Sequence, residues 1–174
     1  MSQTFPLPTL KVPLGVTARD SLSGATGIVT STVFKLSGSV QTAIAPKGDG
    51  TTVPETWSFD EQSVEIVPDG PTAEVTPAGD PLVALGMDVE DKLTKFRGHV
   101  TAIVLHINGC ISVVLTRSKL DKDGKVVEEY FDHKRLTIKG QGLSNVVLDK
   151  AKPAKTAVEP KRTGGFIQRA RPSC

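Results

Sequence analysis

The side chains in this chain whose types suit chemistry are three histidines, two cysteines and one short acidic loop. His99, His106 and His133 all fall in the C-terminal half, and a metal centre built on them needs further ligands at matching spacing that the surrounding sequence lacks. They are read as structural or surface residues. Asp121-Lys122-Asp123-Gly124 opens like a calcium loop, but the later ligands and closing Glu are missing, so a hairpin turn is expected there. Gly24-Ala25-Thr26-Gly27 is followed by no Lys-Ser/Thr and opens no helix, which argues against a phosphate-binding loop. No Ser/His/Asp or Cys/His order assembles a nucleophile with a base and an orienting group. A non-enzymatic protein without metal or cofactor is expected. Cys110 follows a Gly and is expected as a small buried apolar residue, whereas Cys174 ends a basic stretch. Both stay thiols in a reducing cytoplasm. Outside a cell, either has the chemistry for an intermolecular disulfide once Cβ atoms approach within about 4 Å.

The elements that must position these residues occur twice. Leu14–Pro46 lies on Leu85–Arg117 without a gap at a constant offset of 71 residues. Leu14/Leu85, Gly15/Gly86, Asp20/Asp91, Leu22/Leu93, Gly27/Gly98, Val29/Val100, Thr30/Thr101, Val33/Val104 and Gly38/Gly109 are identical. The match resumes one residue out of step, with Phe59-Asp60 on Phe131-Asp132, Val64 on Leu136 and Ile66 on Ile138. One small unit is therefore used twice. In the first copy, strands are expected over Val16–Leu22, Gly27–Lys35, Val40–Ala45, Thr56–Phe59 and Val64–Val67. Strict alternation puts Ile28, Thr30, Thr32 and Phe34 on one face and Val29, Ser31 and Val33 on the other. In the second copy, Glu128–Phe131 and Leu136–Ile138 match the last two strands. Asn108-Gly109 predicts a type I′ hairpin, and the repeated Gly38/Gly109 predicts positive φ in both copies. The three residues after each Phe-Asp suffice for a 3₁₀ turn, which Asp60 and Asp132 are expected to cap. Five short strands with one such turn before the last describe a small SH3-like barrel. The expectation is all-β, with two such barrels in tandem.

The remaining segments have their own compositions. Residues 1–13 alternate Pro with Phe5, Leu7, Leu10 and Val12, which predicts an extended apolar arm. Such an arm needs a surface to cover, on its own unit or on a neighbouring chain. The barrels are placed at 14–67 and 85–149. Between them, 68–84 has four prolines and reads as a semi-stiff linker without a core, although Ala73-Glu74-Val75 is suited to pair along a barrel edge. Val146–Leu148 suggests one more edge strand. Residues 150–174 carry seven Lys/Arg against one Glu, a net +6, and form an extended basic tail with Phe166-Ile167 as its anchor and Arg169 and Arg171 beside it. Residues 1–149 net −4. No run of about 18 apolar residues exists to span a bilayer, and the first residues lack the pattern of a secretory signal, so synthesis in a cytoplasm is expected. Nucleic acid is a natural partner for basic tails and small barrels. Aromatic platforms are scarce, however, and the first unit is acidic.

The run Leu85-Gly86, Val89, Asp91-Lys92-Leu93-Thr94, Phe96, Gly98, Val100-Thr101-Ala102, with Asn108-Gly109-Cys110, Asp121, Asp123-Gly124-Lys125, Phe131-Asp132 and Arg135-Leu136, resembles a family of small tailed-bacteriophage proteins. The pattern covers about a third of the chain. Lys95 stands where Gly is usual, and the first copy has Ala25, Ser39 and no Arg-Leu at the matching places. The resemblance implies a virion component made in the host cytoplasm. Its partners are then capsid, neck or tail proteins, and particle symmetry makes it a homo-oligomer. The expected role is structural: a bridge between neighbouring subunits as capsid decoration or neck and collar, ahead of tail or baseplate. A phage-encoded nucleic-acid-binding or host-regulating barrel is the alternative. The interaction residues expected are Phe5, Leu7, Leu10, Phe166, Ile167, Arg169 and Arg171, with Cys110 and Cys174 as disulfide candidates.

Overall fold

β-Branched and aromatic runs punctuated by glycine become ten antiparallel strands in the computed structural model, which describes residues 4–48 and 55–142. The described residues contain no α-helix. The first set is β1 (Thr17–Asp20), β2 (Thr26–Lys35), β3 (Val40–Ala45), β4 (Trp57–Asp60) and β5 (Val64–Ile66), with a 3₁₀ turn at Glu61–Ser63. The second is β6 (Asp88–Asp91), β7 (Arg97–His106), β8 (Ile111–Thr116), β9 (Glu128–Asp132) and β10 (Leu136–Gly140), with a 3₁₀ turn at His133–Arg135. Pairing is the same in both: first strand to second and fifth, second to third, third to fourth. Both 3₁₀ turns are capped as expected, the Asp60 and Asp132 carboxylates accepting from Gln62 N–H at 2.9 Å and Lys134 N–H at 2.8 Å.

The long strands β2 and β7 also pair with each other. Their register joins Ser31 to His106, Val33 to Val104 and Lys35 to Ala102. Val33 and Val104 are equivalent positions of the repeat, so a local pseudo-two-fold axis passes between them. The flanking hydrogen bonds obey it: Leu36 N–H donates to Thr101 O and Ile107 N–H to Thr30 O, both at 2.8 Å. The result is one continuous six-stranded stretch, β4-β3-β2-β7-β8-β9. Two free edges that would otherwise invite foreign strands close on one another.

Strand periodicity is broken once in each copy. The register between the second and third strands shifts at Thr30 and at Thr101, a β-bulge at the same repeat position. A bulge adds a residue to one strand and flips the alternation beyond it. Val29 therefore joins Thr32 and Phe34 among the buried side chains, correcting strict alternation. Gly27 and Gly98 sit just before the bulge, where an added Cβ would lie 2.1 Å from Ala45 O and 2.6 Å from Thr116 O. Gly38 and Gly109 have φ of +86° and +79°. Asn108 does not share the positive φ, so the turn is not type I′. Gly109 N–H donates to His106 O, and His106 N–H to Cys110 O, which makes a three-residue loop closed by a left-handed glycine.

Two cores result. The second unit buries Val83, Val89, Phe96, Val100, Ile103, Ile111, Val113, Leu115, Phe131 and Leu136, whereas the first buries only Val12, Ala18, Val29, Ile44 and Val64 as a cluster. Val83 corrects the reading of 68–84 as a segment without a core. The segment is also tied down elsewhere: Ala73 N–H donates to Gly15 O and Thr76 N–H to Ile107 O. In the first unit, buried Thr32 and Thr42 face each other across β2 and β3, where the second unit has Ile103 and Val113. Neither threonine hydroxyl has a hydrogen-bond partner among the described residues.

A buried hydroxyl without a partner costs about 1–3 kcal/mol. Thr32→Val with Thr42→Val is accordingly expected to raise unfolding free energy by about 1–2 kcal/mol, read from urea denaturation midpoints. Lys95 has φ +60° at the position of Gly24, φ +74°. Lys95→Gly is expected to stabilise by about 0.5–1 kcal/mol and Gly24→Lys to destabilise by a similar amount.

Candidate functional site

The loop joining the first two strands of each unit is organised around a buried aspartate. Asp20 and Asp91 end β1 and β6 and are sealed from solvent. A buried carboxylate survives only with hydrogen-bond partners. Asp20 Oδ2 accepts from Ser23 N–H at 2.7 Å and Ser23 Oγ at 2.6 Å, and its Oδ1 accepts from the Ser63 hydroxyl at 2.5 Å. Asp91 Oδ2 accepts from Thr94 N–H at 2.7 Å, Thr94 Oγ1 at 2.8 Å and the Arg135 guanidinium at 2.8 Å, with Arg135 Nε reaching Oδ1 at 3.0 Å. Each loop is thus tied to the 3₁₀ turn before the last strand. Burial alone would raise the Asp91 pKa, but Thr94 N–H, the Arg135 guanidinium and the Thr94 hydroxyl outweigh it and hold the carboxyl at about 2. The Ser23 and Ser63 hydroxyls lower Asp20 in the same sense.

At the tips of these loops stand Leu22 and Leu93, 88 % and 73 % exposed. A single exposed leucine is ordinary. Here the same leucine is presented twice, on two loops fixed by the same buried acid, in a repeat that has elsewhere diverged. Ile66 and Ile138, another matched pair, are also exposed. Sequence reasoning aligned Leu22 with Leu93 and Asp20 with Asp91 but gave neither pair a role. The available signal was the Asp followed three residues later by Ser or Thr in both copies, the pattern of a side-chain-capped turn.

The N-terminal arm lies on its own chain. Phe5 N–H donates to Pro81 O at 3.0 Å, Leu7 packs against the second core and Val12 is buried in the first. Leu10 is half-buried, and Lys11 N–H reaches Glu61 Oε1 at 2.9 Å. Cys110 is exposed beside the β7–β8 turn, not buried as expected from sequence. Phe166, Ile167, Arg169, Arg171 and Cys174 lie outside the described residues, as does the strand expected at Val146–Leu148. Asp121 forms the expected turn, its Oδ1 accepting from Asp123 N–H at 2.9 Å and Lys125 N–H at 2.8 Å.

The histidines are spread over separate tasks. His133 is buried, and its Nδ1 accepts from Leu82 N–H at 3.1 Å, holding the segment before β6. That bond requires a neutral ring, and burial lowers the His133 pKa against the opposing pull of Asp132. His106 Nε2 meets Ser112 Oγ at 3.1 Å beside the β2–β7 pairing, and burial lowers its pKa too. His99 Nδ1 is shielded and has no hydrogen-bond partner among the described residues. No three His, Cys, Asp or Glu side chains among the described residues are placed to hold a metal ion. No protein-family model, curated protein or solved structure matches this chain.

Two separate losses of stability with acid are expected. The lowered histidines leave the fold fully supported above the ordinary imidazole value of 6.5, and that support is lost as pH falls through 6.5 toward their folded values. The lowered aspartates act below: their contribution is present above 3.8 and is lost as pH falls through their folded values, about 2 for Asp91. Denaturation midpoints measured across pH should show both steps. His133→Gln should shrink the upper one and Asp91→Asn the lower one.

Proposed function

We propose that this protein is a non-enzymatic bacteriophage virion component, built as two tandem SH3-like barrels with an apolar arm and a basic tail, that bridges neighbouring subunits as capsid decoration or in the neck and collar. The observation that carries this reading is the β2–β7 pairing. A bridge must hold its two contact surfaces at a fixed separation, and ten residues in one antiparallel ladder do so where a free linker does not. The matched loops with Leu22 and Leu93 supply one contact surface per unit. Particle symmetry multiplies weak contacts of this kind, so modest knobs suffice. The sequence resemblance to small tailed-phage proteins supplies the biological setting. The first unit's smaller core and lost aromatic are consistent with a copy kept for its surface.

Mass spectrometry of purified particles is expected to find the chain among the virion proteins, and its absence from them would falsify the proposal. Leu22→Ser with Leu93→Ser is expected to change stability by less than about 0.5 kcal/mol, because both side chains are already in water. The same variant should lower the protein's occupancy in assembled particles, measured against the capsid subunit. In a salt series with duplex DNA, affinity falling steeply with ionic strength would favour a nucleic-acid role instead.

A further inference from the structure

The repeat contains the same cleft twice, with different chemistry. In each unit a hollow forms beside the close-approach glycine, between the start of the first strand, the start of the second and the chain leaving the third. In the first unit it has a volume of about 460 Å³ and is lined by Thr17, Thr26, Ile28 and Lys47. One wall is Pro71–Ala73, an extended piece of the chain's own backbone. Thr17 Oγ1 donates to Pro71 O, and Ala73 N–H donates to Gly15 O at 2.8 Å.

In the second unit the cleft is larger, about 730 Å³, and its lining is charged. Asp88 replaces Thr17, Arg97 replaces Thr26, His99 replaces Ile28 and Arg117 replaces Pro46, with Lys119 further along the rim. Arg97 is taken up by Asp88 through Nε at 3.0 Å and a second guanidinium nitrogen. Arg117 is not: its guanidinium lies over the Phe96 ring at 4.4 Å, and no carboxylate among the described residues lies within salt-bridge distance of it or of Lys119. Stacking on Phe96 fixes the guanidinium in place, with the ring contact adding attraction of its own. Val127 and the exposed Leu120 give the cleft an apolar flank.

We infer that the cleft beside Gly98 is a docking groove for an extended acidic segment of a partner protein. In the first unit extended backbone lies hydrogen-bonded along the wall of the same hollow. The charge supplies the sign: Arg117 and Lys119 face the groove without carboxylate partners, against Asp121 as the one lining carboxylate outside the Asp88–Arg97 pair, and oppositely charged residues on an incoming segment meet them. The chain's own tail over 150–174 carries a net +6 and has the wrong sign to satisfy them. The apolar flank suits a peptide side chain better than a phosphate backbone. Phe96, the cleft's aromatic neighbour, is covered by Arg117 and offers no face for a base to stack on. This inference does not depend on the virion role, since it rests on the cleft alone.

The test uses the full chain and three fluorescent probes at low salt: an extended peptide of alternating Glu and Val with a central Pro, its Lys counterpart, and single-stranded oligothymidine. The Glu peptide is expected to bind, and the Lys peptide is not. Amide shifts should fall on Gly98, Arg117, Lys119 and Val127 but not on Gly27. Arg117→Ala with Lys119→Ala should weaken binding by about tenfold or more. Lys122→Ala with Lys125→Ala, on the neighbouring turn, should change it by less than about twofold, because neither side chain lines the cleft and exposed charges at a distance act weakly. Thermal unfolding of each variant confirms that the fold persists. Failure of the Glu peptide to bind would overturn the inference, as would equal binding by the Arg117/Lys119 variant. Tighter binding of oligothymidine, lost in that variant, would overturn it in favour of nucleic acid.

Discussion

The pairing of β2 with β7 is the interaction on which the rest of this structure depends. Antiparallel pairing of a strand with its own repeat equivalent is self-complementary in the way an isologous dimer interface is: whatever one side donates, the other returns. Here Leu36 donates to Thr101 and Ile107 to Thr30, and the axis runs between two equivalent valines. The duplicated chain therefore contains within itself what would otherwise be a dimer. Covalent linkage removes the concentration dependence of that contact, and residues 68–84 lie across both units along the same body.

Inequality between the cores follows from this joining. A unit of about 55 residues is near the lower limit for an independent core. The second unit approaches that limit with ten clustered buried side chains, including the Phe96–Phe131 ring pair with centroids 5.4 Å apart. The first has five, lacks the aromatic at Ala25 and tolerates two buried threonine hydroxyls. Anchored along β2 to a better-packed neighbour, and with Val12 of the arm added to its interior, it does not have to be stable alone. Relaxed demand on its core leaves room for its cleft and loops to diverge.

The aspartate nodes show how the same fold is held by different chemistry. Asp20 is satisfied by two serines, Asp91 by a threonine and an arginine. What is kept is a buried acceptor at the end of the first strand, because the loop's N–H groups and the following 3₁₀ turn need one point to close upon. The leucine at each loop tip inherits its fixed position from that acceptor. A similar substitution of parts at constant geometry separates the two clefts, where backbone placement is shared and the lining is not.

Much of the local structure was legible from residue order. The constant offset exposed the repeat, the β-branched runs located most strands to within a residue or two, and Asp60 and Asp132 marked their caps, because each depends on a few neighbouring residues. The bulge at Thr30 and Thr101 was not legible: nothing in a single strand says that its partner will be one residue short. Nor did Asn108-Gly109 disclose that its loop takes three residues, since the flanking ladder sets that register. The arm's choice of its own chain, the burial of Val83 and the exposure of Cys110 were equally out of reach. They depend on which surfaces come together after the strands have formed. Residue order by itself determined a duplicated antiparallel β unit. Only the tertiary structure decided that the two copies would meet along equivalent edges, because ladder hydrogen bonds are made by backbone groups that every sequence shares.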